Sequence, residues 1–151
     1  MKPLKPFKVY IEEGTVKRIT PDFNRAVFLS KEAEKRMVFL KELKEKIGIK
    51  DDNANYIVEN SYNVLSEVLR SKMLESGYYA SGIGAHEAEV AFMENLLFTH
   101  DEIVFMNSLR YFRNSILYYG KILDEEYGKK VLTFLDNIYP KLKKLLKVQD
   151  E

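Results

Sequence analysis

The sequence contains no cysteine among its 151 residues. That excludes a disulfide framework, a cysteine zinc site, an iron–sulfur cluster and cysteine nucleophilic catalysis, and it is compatible with a reducing cytoplasm. Histidine is almost as scarce. His86 and His100 stand outside any spacing typical of a metal site, so neither a metal nor another cofactor is expected. Long apolar runs are missing too. No stretch approaches the roughly 20 apolar residues of a membrane span, and the opening MKPLKPFKVYIEEG lacks the apolar run of a signal peptide. The expectation is a cytoplasmic protein without membrane contact. An excess of either charge is also lacking: 24 Lys+Arg face 23 Asp+Glu, so no whole-molecule field draws nucleic acid, and any such contact must come from a local patch.

What is present is the balance of an ordinary globular domain, 46% hydrophobic and 31% charged. A chain of this length fits one domain that buries roughly 70% of the surface its unfolded form exposes. Residues 1–20 read as an N-terminal arm and 21–151 as a single helical bundle. In the arm, KVYIEEGTVKRI (8–19) alternates apolar and polar positions on both sides of Glu13-Gly14, a short hairpin signal. Thr20-Pro21-Asp22 offers a helix start with proline in the first turn. Ala26, Leu29, Ala33, Met37, Leu40 and Ile47 then recur at helical steps up to Gly48, although Ser30 could begin a second helix.

Asp51-Asp52-Asn53 caps a further helix that carries Ile57, Ser61, Val64, Leu65 and Val68 on one face and ends at Gly77. YYASGIG (78–84) reads as a mobile connector. A helix from about Ala85 to Phe98 follows, and Thr99-His100-Asp101 caps the next, to Gly120, with Phe105, Leu109, Phe112 and Ile116 inward. The last helix spans about Asp124 to Lys147, and Pro140 inside it predicts a kink or two consecutive helices. The fold class expected is mainly α: an antiparallel up-and-down bundle of about five helices with a short N-terminal β-hairpin arm.

The segment Arg110-Tyr111-Phe112-Arg113-Asn114-Ser115-Ile116-Leu117-Tyr118-Tyr119-Gly120 resembles the signature helix of the HEPN family. In that family an Arg followed by Asn or another polar residue precedes a His by four to six intervening residues. Arg113-Asn114 matches the first half, whereas Tyr118, Tyr119 and Gly120 stand where the His would fall. ENSYNVLSEVLRSKMLESGYY (59–79) is similar to the family's preceding long helix, and HEAEVAFMENLL to the helix between, so the resemblance covers about residues 53 to 123.

Along a helix Arg110, Asn114 and Tyr118 share one stripe with Arg113 on its flank, away from the expected core face, so the arginines are expected to point to a groove or a partner. A guanidinium there can hold a phosphate or carboxylate through paired bonds, and tyrosines offer a base a flat surface. The ligand-binding candidates are Arg110, Arg113, Asn114, Tyr118 and Tyr119. Candidates for catalysis are Arg113, Asn114 and Tyr118. The resemblance implies a homodimer with a cleft between protomers, RNA or nucleotide as ligand, a nucleotidyltransferase as partner protein, and metal-independent RNA cleavage by Arg and His. With tyrosine in place of His, a group with an ordinary pKa near 10, the expectation becomes a binding module without catalysis. Two other readings stand beside it: a degenerate ribonuclease, and a plain helical interaction protein in which Arg110 and Arg113 pair with Glu59 or Glu67. Glu87 and Glu89 read as exposed first-turn acids, and the lysines from 141 to 147 as a solvated helix face.

Overall fold

The computed structural model describes residue 1 and residues 3–148. In chain order the elements are α1 (Phe7–Glu12), β1 (Val16–Arg18), α2 (Phe23–Lys46), α3 (Ala54–Glu75), β2 (Tyr78–Ala80), α4 (Ala85–Ala91), which runs on as a 3-10 segment over Phe92–Leu96, α5 (His100–Tyr119) and α6 (Glu125–Leu145). The architecture is the expected mainly α bundle. Its four long helices alternate in direction. Asp22 N–H donates to the Leu74 carbonyl and Arg36 reaches Glu67, so α2 runs antiparallel to α3. Arg113 lies over Tyr62 while Asn55 holds Lys121 and Leu123, so α5 is antiparallel to α3. Phe105 against Phe134 and Phe112 against Tyr127 make α6 antiparallel to α5.

α3 is the centre of the bundle. Ile57, Val58, Tyr62, Leu65, Val68 and Leu69 are all buried, and they join Leu40 of α2, Met106 and Leu109 of α5, and Val131, Leu135, Ile138 and Leu142 of α6 in one cluster. Helix ends are fixed by local chemistry. Asp22 caps α2 by accepting from Arg25 N–H, so Pro21 stands before the helix rather than in its first turn, and Ser30 sits buried within an unbroken helix. Thr99 and Glu102 form a reciprocal capping box at the start of α5, and Asp124 accepts from Tyr127 N–H at the start of α6. α6 is one helix through Pro140 rather than two. The proline is exposed, and so is Asp136, whose carbonyl loses its helical partner.

The N-terminal arm departs from its local reading. Its second half is a strand, but the first half is the helix α1, and β1 pairs antiparallel with β2, with Val16 opposite Ala80 and Arg18 opposite Tyr78. The expected connector 78–84 is thus part strand. The reason is packing: Phe7, Tyr10 and Val16 bury themselves against Met73, Ala88, Ala91 and Phe92, a second small core that a free hairpin could not form. Gly77 makes the pairing possible. It sits at φ +86°, and a Cβ there would stand 2.9 Å from the Ile19 carbonyl oxygen.

Leu109 is fully buried, whereas Phe112 is only half-buried at the edge of the same cluster. Leu109→Ala is expected to cost about 2–5 kcal/mol of unfolding free energy in urea melts, and Phe112→Ala less, because only the first leaves an enclosed cavity.

Candidate anion-binding site

Three helices bring polar side chains to one place beside the Tyr62 ring. α3 supplies Tyr62, Ser66 and Arg70, α4 supplies His86, Glu87 and Glu89, and α5 supplies Asn107, Arg110, Arg113 and Asn114. The Arg113 guanidinium carbon lies 5.6 Å from the centroid of the Tyr62 ring, and the His86 ring meets the same ring edge-on at 6.3 Å. His86 stands in the first turn of α4, which begins at Gly84 in the left-handed region.

Glu89 organises one side of the cluster. Its side chain is 3% exposed and accepts from Arg70 Nε at 2.7 Å, from an Arg70 Nη at 3.3 Å and from His86 Nδ1 at 3.0 Å. Burial alone would push the Glu89 carboxyl up, but the bonds and charges of His86 and Arg70 hold it below its ordinary value. It is therefore an ionised acceptor, which puts a proton on His86 Nδ1 and turns Nε2 away from the carboxylate. The His86 side chain is 46% exposed. Burial, aided by Glu89, raises the Tyr62 hydroxyl above the usual tyrosine range against the opposing pull of Arg110, Arg113 and Arg70, so Tyr62 is a neutral phenol at pH 7.

The arginines of α5 are less well partnered. Arg110 is 8% exposed, donates from Nε to Asn107 Oδ1 at 3.0 Å and has Glu87 3.8 Å from Nη1. Arg113 Nη1 makes one long bond of 3.4 Å to Asn114 Oδ1. Its Nε is buried and donates to no group, and among the described residues no carboxylate lies within ion-pair distance of its guanidinium. An unmet guanidinium N–H out of water costs on the order of 1–3 kcal/mol, a cost that an incoming anion removes.

This arrangement corrects the stripe read from the sequence. Arg110 and Arg113 face α3 and α4 rather than a surface away from the core, because the inward side of α5 is set by Met106, Leu109 and Arg110 together. Asn114 is half-buried beside Arg113. Tyr118 and Tyr119 do not join them: they are 76% and 83% exposed at the end of α5, and neither makes a hydrogen bond or ring contact with the cluster among the described residues. Glu67 pairs with Arg36 at 2.7 Å and not with an arginine of α5. Glu89 is buried, against the expectation of an exposed first-turn acid. Of the C-terminal lysines, Lys143 is bound to Ser30 and Glu34, and Lys141 to Glu102.

Glu89, Arg70 and Tyr62 were not singled out from the sequence as site residues. The i, i+3 spacing of His86 and Glu89 on one helix is a local signal that could have paired them. Arg70 lies 19 positions away, and only packing joins it. Comparison with protein-family models, curated proteins and solved structures finds no match.

Removing the Glu89 charge strands Arg70. Glu89→Gln is expected to lower stability at pH 7 by on the order of 3 kcal/mol. Because the folded carboxyl titrates below its ordinary value of 4.5, its contribution is complete above that pH and is lost as pH falls through the folded value. Urea midpoints of wild type and variant, compared between pH 7 and pH 3, should therefore converge in acid. A gap that stays constant down to pH 3 refutes this role for the charge.

Proposed function

We propose that this chain is a HEPN-like binding module that holds a phosphate of RNA or of a nucleotide on Arg110 and Arg113, with Asn114 orienting Arg113, and that it does not cut its ligand. The single observation that carries the reading is Arg113: a guanidinium laid over an aromatic ring, with a buried Nε that no group among the described residues satisfies. Arginine presents a rigid fork of donors to which phosphate is the complementary acceptor. Arg70 does not compete for the ligand, since Glu89 neutralises it. The near balance of charge over the whole chain fits a local contact rather than a broad electrostatic surface.

The same reading makes the protein a cytoplasmic homodimer, with a nucleotidyltransferase as candidate partner protein. Among the described residues no helix is long and apolar enough to cross a membrane. The end of α5 and the turn after it expose Tyr111, Leu117, Tyr118, Tyr119 and Ile122, an aromatic and aliphatic surface of the kind favoured in protein interfaces. Tyr118 and Tyr119 enter the proposal as interface residues, not as part of the arginine cluster. Light scattering at micromolar concentration is expected to give twice the chain mass, with Tyr118→Asp/Tyr119→Asp reducing it to that of a monomer.

One observation favours a second reading, a metal-independent ribonuclease. His86, oriented through Nδ1 by an ionised carboxylate, presents Nε2 beside the ring that carries Arg113. In that chemistry Nε2 takes the proton of a ribose 2′-hydroxyl as its oxygen bonds to phosphorus. The bond from phosphorus to the 5′-oxygen breaks, and water protonates that oxygen. The products are a 2′,3′-cyclic phosphate and a 5′-hydroxyl.

The two readings separate in one set of assays on the purified protein with labelled single-stranded RNA in EDTA. The binding module predicts retention of intact RNA on filters, at least tenfold weaker for Arg113→Ala, with affinity falling as salt rises. Fragments that vanish in both His86→Ala and Arg113→Ala would establish the ribonuclease instead. Wild-type and Arg113→Ala proteins that retain RNA equally refute both.

A further inference from the structure

A second site lies one helical turn before Arg110. Pro3 and Leu4 of the N-terminal segment face Phe98, Ile103 and Val104 across a pocket of about 580 Å³, a volume suited to a small molecule. The walls are apolar. The residue at the bottom is Asn107, the most deeply buried of those lining the pocket, 6% exposed.

The chemistry of Asn107 is fixed by its neighbour. An arginine Nε–H only donates, so the Asn107 oxygen must be the atom that faces it at 3.0 Å, and the amide NH₂ is left for the pocket. That NH₂ donates to no protein group among the described residues. With the Asn107 oxygen held by Arg110, the group this wall offers is an N–H donor, so the complementary ligand atom is an oxygen acceptor. The Phe98 ring in the wall complements a flat ring. Glu94 and His100 stand exposed at the rim.

We propose that this pocket binds a small aromatic ring whose carbonyl oxygen accepts hydrogen bonds from the Asn107 amide. The site is separate from the arginine cluster in its walls and shares with it only the Asn107–Arg110 bond. Its occupancy therefore does not depend on the phosphate reading.

The test uses the full chain, labelled with ¹⁵N, and titrates benzamide against benzylamine, which has the same ring but no carbonyl. Asn107→Asp identifies the side-chain amide signal by its loss and keeps an acceptor for Arg110 while removing the donor. Benzamide is expected to shift the Asn107 amide pair and to bind at least tenfold more weakly to Asn107→Asp, whereas benzylamine leaves that signal in place. Val104→Trp fills the exposed mouth from one turn before Asn107, leaves Asn107 and Arg110 unsubstituted and should abolish the shift, which keeps the test decisive if the aspartate variant fails to fold. An Asn107 signal unmoved by benzamide, equal affinity for benzamide and benzylamine, or undiminished binding to Val104→Trp overturns the proposal.

Discussion

The constraint on which the rest of the molecule depends is that α3 is enclosed nearly all round. Of its 22 residues, 15 are buried, and these include Ser61, Ser66, Glu67, Ser71 and Glu75. A helix enclosed on several faces has nowhere to solvate its polar side chains, so most find a partner on the element packed against them, while Ser61 Oγ is buried with none among the described residues. Glu67 takes Arg36 of α2, and Ser71 donates to the Ala26 carbonyl. Glu75 accepts from Lys72 and from the backbone N–H groups of Lys147 and Val148, which ties down the chain after α6. Arg70 takes Glu89 of α4. Each of these contacts fixes the position of a neighbouring element as well as satisfying its own donor or acceptor.

The arginine cluster is a product of the same enclosure. Tyr62 presents a ring that α4 and α5 both cover, and the helices covering it bring His86 and Arg113 to its edge and face. Arg70 and Glu89 settle each other. Arg110 and Arg113, on the side of the ring where α5 closes the bundle, do not receive comparable partners. The asymmetry between a satisfied pair and the buried, unmet Arg113 Nε is what gives the place a chemistry of its own, since a buried guanidinium donor without an acceptor is costly unless something outside the chain supplies one.

Asn107 joins this region to the small pocket. By accepting from Arg110 it spends its oxygen and leaves a donor facing an apolar space. One side chain thus belongs to two environments of opposite character, an arginine cluster and a mostly apolar cavity. The capping box of Thr99 and Glu102 sets where α5 begins and so places both, because a helix started one residue later would rotate Asn107 and Arg110 by about 100°.

The sequence by itself determined the four long helices, their order and most of their ends. Apolar spacing of three and four residues marks each core stripe, Thr99 and Asp124 carry capping oxygens, and Gly48, Gly77 and Gly120 mark helix ends, all of which are local signals. It also singled out Arg110, Arg113 and Asn114, because their types and spacing are visible along one helix. Only the tertiary structure decided which way they face. Periodicity reports a helix's apolar side, but Arg110 lies at the margin of that side, and whether a marginal residue is buried depends on what packs there. The same holds for β1, whose alternating pattern fits any strand partner and finds Tyr78–Ala80 because Phe7 and Tyr10 bury themselves beside it. The union of Glu89 with Arg70, and of His86 with the ring beneath Arg113, rests on contacts between helices. Such contacts follow from the packing of the whole core, which no local stretch of sequence contains.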